Sequence, residues 1–206
     1  MHKKTVMDFK DLGRRLIFSQ PIKELKTREL AEVRAILQEV EDWQKKGFYA
    51  IHSASILYQN RAWLFSGHSG MGKSTHTELW HERVHTPYLN GDLNLVGIEN
   101  GKLKVYGMPW CGTSGIFTTS TQELGGIVLL GRDDYDHLER LGEAEKIVRV
   151  MQRMISPAWT EEQMEKNLDF AGQIVENSPV YYLKCTKNPS AVETIKAQID
   201  QMEAEG

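Results

Sequence analysis

Residues 67–85 read GHSGMGKSTHTELWHERVH, and two chemistries lie end to end in them. Gly67 to Ser74 fit G-x-x-x-x-G-K-[ST]: glycines let backbone N–H groups turn toward a phosphate, a lysine bridges the terminal phosphates, and a serine hydroxyl ligates Mg2+. The candidate phosphate cradle is therefore Gly67, His68, Ser69, Gly70, Met71, Gly72, Lys73, Ser74 and the adjoining Thr75, with Ser74 as a metal ligand. His81 to His85 fit H-E-x-x-H, in which His81 and His85 would hold zinc and Glu82 would act as general base. Both patterns need a helix, and here it is the same helix.

The surrounding elements favour the first pattern. A phosphate loop needs a strand leading in and a helix leading out, whose N-terminal dipole end faces the anion. AWLFS reads as the strand, and the stretch from Gly72 to Arg83 as the helix, closed by Pro87. A catalytic zinc needs a third protein ligand, and the extended H-x-x-G-x-x-H form is absent because TPYLNGD follows His85. His81 and His85 read as a solvated helix face, and His68 and His76 as loop and helix-surface residues.

Elsewhere, residues 27–46 place Leu30, Val33, Leu37 and Val40 at helical spacing, with Gly47 as the stop. HSASILY and RAWLFSG form a hairpin around Gln59-Asn60, and PYLN is a short strand ending at Gly91-Asp92. LNLVGIENGKLKVYGM is a second hairpin, since Asn100-Gly101 is a type I′ signal. GGIVLLGR is too apolar to show alternation and reads as a buried strand. EAEKIVRVMQRMI predicts a helix stopping before Pro157, and Thr160 with Gln163 a capping box opening the next. SPVYYLKC is a strand, and Asn188-Pro189 starts the last helix, SAVETIKAQIDQM. The expected fold class is α/β: a mixed β-sheet core with hairpins, a phosphate loop and flanking helices. We expect one compact unit, with residues 1–48 a helical segment packed on a kinase-like domain at 49–206.

Bulk properties exclude several partners. A net charge of −3 over 206 residues gives no electrostatic argument for a nucleic-acid surface, and no nucleic-acid partner is expected. The apolar run IVLL falls far short of the roughly 18 residues that span a bilayer, so no membrane partner is expected. MHKKTVMDFKDLGRR lacks the apolar core of a signal peptide, and the two cysteines, Cys111 and Cys185, form no C-x-x-C pair. The expected setting is a reducing cytoplasm.

A phosphate loop needs an acid for the Mg2+ shell or for the acceptor's proton. Asp92 stands eighteen residues beyond Ser74, at the end of the strand following the loop helix. Asp133 and Asp134 overshoot their strand into a polar turn and read as surface acids. No N-K-x-D motif is present, which disfavours a GTPase.

IHSAS, GHSGMGKST, LNGD and GMPWCGT together resemble the catalytic core of the HPr kinase/phosphorylase-like kinases, of the phosphoenolpyruvate-carboxykinase type of P-loop fold. The motifs cover residues 50–132, with a weaker likeness through PVYYLKCT and the final helix to small stand-alone members. Some of those are similar to kinases that phosphorylate a serine in a ribosomal peptide precursor. The resemblance implies that Gly67 to Ser74 hold the phosphates of ATP with Mg, Lys73 being catalytic through charge neutralisation. His52, fifteen residues before Gly67, would lie near the transferred phosphoryl group. Asp92 would accept the acceptor hydroxyl's proton or help hold Mg2+. Arg132, at a strand end, is a further candidate for stabilising that group, and Cys111 reads as structural.

Departures narrow the reading. Family members commonly carry two adjacent acids where this chain has Gly91-Asp92. The bifunctional HPr enzymes carry an acid where His68 stands and a Glu where Thr75 stands, and Lys often follows PWCG where Thr113 stands here. These differences argue against HPr as the substrate and against the phosphorylase reaction. The expectation is an ATP- and Mg-dependent kinase acting on an unidentified hydroxyl of a peptide, protein or small molecule. The rivals are a non-catalytic nucleotide-binding regulatory module and, third, the zinc hydrolase of His81, Glu82 and His85. A homo-oligomer stays open.

Overall fold

Glycine and asparagine punctuate the chain into hairpins, and the hairpins build the sheet. In the computed structural model, which describes residues 27–205, helix α1 (Thr27–Lys45) leads into β1 (Tyr49–Tyr58) and β2 (Arg61–Ser66). Gln59 and Asn60 both take positive φ between these strands, as do Asn100 and Gly101 between β4 (Leu93–Glu99) and β5 (Lys102–Tyr106). These are the backbone angles a two-residue hairpin turn demands. Between the hairpins lie α2 (Lys73–Val84) and β3 (Tyr88–Asn90). After them come β6 (Thr121–Arg132), β7 (His137–Glu139), α3 (Glu143–Met151), β8 (Met154–Ile155), α4 (Glu161–Asn177), β9 (Val180–Cys185) and α5 (Ser190–Glu205).

The nine strands form one mixed sheet, and β1 and β6 are its two long members. β1 pairs antiparallel with β4 over residues 49–52 and with β3 over 55–56; the pair of Ser55 and Asn90 keeps the β4 register across the break at Gly91-Asp92, and the register shifts between Ser55 and Ile56. Residues 53–58 of β1 pair with β2, and residues 50–51 with β8. β6 pairs antiparallel with β5 at its start and parallel with both β2 and β9 further along. Hydrogen bonding therefore runs in a closed circuit through β1, β4, β5, β6 and β2. β2, β6 and β9 run parallel, so their C-terminal ends share one edge, where open α/β sheets bind ligands.

Alternate side chains of the central strands enter two cores. Ala62, Leu64, Ile127 and Leu129 pack with Phe170 and Ile174 of α4. Trp63, Phe65, Val128 and Leu130 pack with Trp80 of α2 and Ile195 and Ile199 of α5. Burial on both faces explains the unbroken apolar run of β6. A smaller cluster of Ala50, Leu93 and Met108 receives Trp43 and Trp110, whose rings lie 4.9 Å apart. Gln44 of α1 donates to the Pro157 carbonyl and to Asn167 Oδ1 of α4, at 3.0 and 2.8 Å. Residues 1–26 of the expected N-terminal segment, and the side chains of Leu30 and Val33, lie outside the described residues.

Two features depart from the sequence reading. The helix expected over EAEKIVRVMQRMI ends at Met151, and Met154-Ile155 instead pair with Ile51 and Ala50 of β1. An unfilled β1 edge offers backbone partners there, and the pairing overrides a helical pattern. β7 was not anticipated; it pairs with β9 from His137 to Glu139. The capping box at Thr160 and Gln163 is present.

α2 is a polar helix held by few buried groups. Trp80, fully buried, packs edge-on to Tyr58 at 5.0 Å and against Phe65 at 6.0 Å. Its Nε1–H donates to His76 Nε2 at 3.3 Å, so His76 is the neutral acceptor tautomer. His76 was expected on the helix surface but is 3% exposed. Burial is the main cause that pulls its pKa from 6.5 down to about 4, opposed by the charge of Asp136. Between those values the unfolded chain binds a proton that the folded chain refuses. This site therefore takes nothing from stability above pH 6.5 and costs increasingly as the pH falls toward 4. Urea melts from pH 7 to pH 4 should show the parent chain losing on the order of 3 kcal/mol more than His76→Gln. Parallel stability curves for the two proteins would contradict a buried neutral His76.

Candidate functional site

The loop from Gly67 to Gly72 leaves the sheet where β2 ends, at Ser66 opposite Ser53 of β1. Gly70 and Gly72 take φ of +79° and +98°, angles that other residues adopt only under strain. A Cβ at either position would meet nothing within 4 Å, so the mouth of the loop is open. At Gly67 a Cβ would stand 3.2 Å from the Leu130 carbonyl, which holds the loop's base tightly against β6. Gly72 precedes α2, whose first residues Lys73 and Ser74 follow at once. Lys73 is buried and its Nζ donates to the Gly67 carbonyl at 3.2 Å, so the ammonium folds back over the loop. Ser74 and Thr75 are exposed. Strand, glycine-turned loop and helix thus stand as the phosphate motif requires.

His52 and Asp92 meet beside that loop. His52 Nε2 lies 3.3 Å from Asp92 Oδ1, with the side chains 24% and 11% exposed. Ser66, the last residue before the loop, donates its hydroxyl to the His52 carbonyl at 2.7 Å. Ser53 N–H donates to the Asp92 carbonyl at 3.0 Å. The Asn90 side chain fixes the bend that carries Asp92: its Oδ1 accepts from the N–H groups of Asp92 and Leu93 at 2.9 and 3.0 Å. Gly112, at φ +60°, lets the backbone close over the carboxylate; a Cβ there would stand 2.8 Å from Asp92 Oδ2.

The position beside Asp92 is sealed. A Cβ on Gly91 would stand 2.0 Å from Ser114 Oγ and 2.7 Å from Ser114 Cβ. Ser114 is itself fixed, donating to the Cys111 carbonyl at 2.6 Å and accepting from Ile116 N–H at 3.2 Å. The 3-10 turn Gly112–Ser114 therefore fills the place a second acid's side chain would need. Cys111 is buried and contributes its carbonyl to this turn.

Two arginines grip the loop. Arg132, at the end of β6, donates to the Gly70 carbonyl at 2.5 Å. Arg153 places Nη2 3.0 Å from His68 Nε2, while its own carbonyl accepts from His52 N–H at 2.8 Å. Sequence reasoning missed Arg153 because it assigned the residue to a helix; the register of β8 on β1 is what delivers it. With Lys73, this is a site of three cations. Its field is visible at His68, whose pKa is lowered first by Arg153, then by burial and Lys73.

The remaining sequence candidates lie apart from this chemistry. His81 Nδ1 lies 2.9 Å from the Thr86 carbonyl and its ring stacks on Tyr88. His85 lies beyond the last helical residue, at φ +59°. Among the described residues no group of three His, Cys, Asp or Glu stands close enough to hold a metal ion, so H-E-x-x-H has no third ligand here. Asp133 and Asp134 form a local turn in which Asp133 Oδ1 accepts from Asp134 N–H. A cavity of about 300 Å3 lined by Lys46, Tyr49, Asp169 and Phe170 contains none of the residues above.

No family model matches the chain, and no curated protein matches it. Among solved structures the chain is similar to the HPr(Ser) kinase/phosphatase from Coxiella burnetii. That likeness covers 76% of this chain and 99% of the other, at 13% identity and a TM-score of 0.46. At that level it is distant and carries no argument about chemistry. No helix among the described residues is long and apolar enough to cross a membrane.

Two outcomes follow. Because Arg153 is the largest cause of the depressed His68 pKa, an NMR titration of Arg153→Ala should find that pKa raised toward 6.5; an unmoved value would separate the two side chains. Gly91→Ala should destabilise the chain by about 1–3 kcal/mol through overpacking, and Ser114→Gly in the same chain should recover part of the loss. Additive effects in that double-mutant cycle would mean the two positions do not touch.

Proposed function

We propose that this chain is an ATP- and Mg2+-dependent phosphotransferase that moves the γ-phosphoryl group to a hydroxyl, with a serine of a peptide or small protein as the proposed acceptor. One observation carries the reading: a glycine-turned loop with a buried lysine lies one hydrogen bond from a histidine–aspartate pair, through Ser66 and the His52 carbonyl. Phosphoryl transfer needs charge neutralisation around the phosphates and a carboxylate near the attacking oxygen.

In this reading the loop N–H groups and the first turn of α2 bind the phosphates, and Lys73 neutralises their charge. Arg132 and Arg153 add positive charge on either side. The Ser74 hydroxyl and the Asp92 carboxylate are hard oxygen donors of the kind Mg2+ takes, and the open mouth at Gly70 and Gly72 leaves room for it. When bound, Mg2+ supplies charge neutralisation on the β- and γ-phosphate oxygens. Asp92 accepts the proton of the acceptor hydroxyl as its oxygen bonds to the γ-phosphorus and the bond to the bridging oxygen of ADP breaks. His52, against Asp92 Oδ1, orients that carboxylate.

A second reading has a specific support. Ser114 fills the space beside Gly91, so position 91 supplies no second acid to share with Asp92 the roles of base and metal ligand. A chain that binds nucleotide and reports its presence to a partner would need no base at all.

Calorimetry with Mg-ATP and a turnover assay separate the readings. Lys73→Ala should abolish measurable binding, and unchanged binding would remove the phosphate-loop reading. Asp92→Asn should retain measurable, if weaker, Mg-ATP binding and lose turnover by about 10²–10⁴-fold, the range for a general base. Nucleotide binding with no turnover by the parent chain, across a panel of hydroxyl acceptors, favours the regulatory module.

A further inference from the structure

The geometry points to Tyr135 as the platform on which the base of the bound nucleotide stacks, an inference that rests on the phosphate-loop reading above. Tyr135 is 63% exposed, the second most open of the large apolar side chains among the described residues. It is nonetheless ordered on one face: its ring stacks on His137 with centroids 4.4 Å apart and planes 21° from parallel. His137 is held in turn by β7, opposite Lys184 of β9. An aromatic ring backed on one side and open on the other is what a base requires, because every base offers a π-face.

Its position follows from the anchors on either side. Arg132, three residues earlier, holds the Gly70 carbonyl of the phosphate loop. Asp136, the next residue, accepts from Thr186 N–H at 2.6 Å and from the Ser190 hydroxyl. Its charge also acts on His76 in the first turn of α2. The segment carrying Tyr135 is thus pinned to the loop at one end and to the start of α5 at the other. It follows β6, the parallel neighbour of β2.

The direction of the nucleotide follows from the chemistry. His52 and Asp92 lie on the β1 side of the loop, so the terminal phosphate must point there for transfer. The α-phosphate, sugar and base then extend the other way, over the ends of β6 and β9, where Tyr135 stands. Tyr135 stacks the base without reading its edge, so the platform contributes affinity and little choice between purines.

Calorimetric titration with Mg-ATP and with Mg-tripolyphosphate, which has phosphates and no base, tests the inference. Tyr135→Ala should weaken Mg-ATP on the order of tenfold or more and leave tripolyphosphate within about twofold, while Tyr135→Phe keeps the parent affinity for both. A Tyr135→Ala chain that binds Mg-ATP like its parent, or that loses both ligands equally, overturns the platform and leaves the phosphate loop standing. A parent chain that binds neither ligand overturns both readings together.

Discussion

A buried polar cluster on β1 is the constraint on which the site depends. Ser53, Ser55, Asn90 and Asn94 are all shielded from water, and each must find partners inside the protein. Asn94 donates to the Ser53 carbonyl and hydroxyl at 2.7 and 2.9 Å, and Ser55 donates to Asn94 Oδ1 at 2.7 Å. Asn90 N–H donates to the Ser55 hydroxyl, and its side-chain amide reaches the Met108 carbonyl. A one-residue slip of β3–β4 along β1 would leave these groups unpaired, at about 1–3 kcal/mol for each orphan. The cluster therefore locks the register that sets Asp92 beside His52.

The same stretch of β1 is where both its edges change partner. On one edge the run of β3 and β4 breaks at Gly91-Asp92; on the other, β2 ends at Ser66 and β8 begins just past Arg153. A strand that changes partners leaves a gap, and chain entering or leaving the sheet there brings its side chains together. The loop from Gly67 to Gly72 leaves through this gap, and Arg153 and Asp92 arrive at it. That these residues meet is a consequence of the strand topology.

Gathering Lys73, Arg132 and Arg153 around one loop sets like charges together, and each is offset by an acceptor in the loop. Carbonyl oxygens of Gly67 and Gly70 hold two of these cations, and the depressed pKa of His68 keeps that ring an acceptor for the third. Within the loop, the Met71 N–H donates to the His68 carbonyl at 3.0 Å. The positive end of α2 adds to the same field.

Much of the fold was legible in the sequence because its cues are local. Glycine φ freedom, the Asn100-Gly101 turn, the apolar run of β6 and the capping box at Thr160 each act within a few residues of chain. The strand before Gly67 and the helix after Gly72 could be read for the same reason. What only the tertiary structure decided are the encounters between distant residues. Arg153 meets His68 across eighty-five residues because β8 pairs with β1 rather than continuing a helix. Ser114 closes the space beside Gly91, and His76 turns inward under Trp80 rather than outward. Those outcomes depend on strand register and on which backbone edges need partners. Both are properties of the assembled sheet, and no window of sequence contains them.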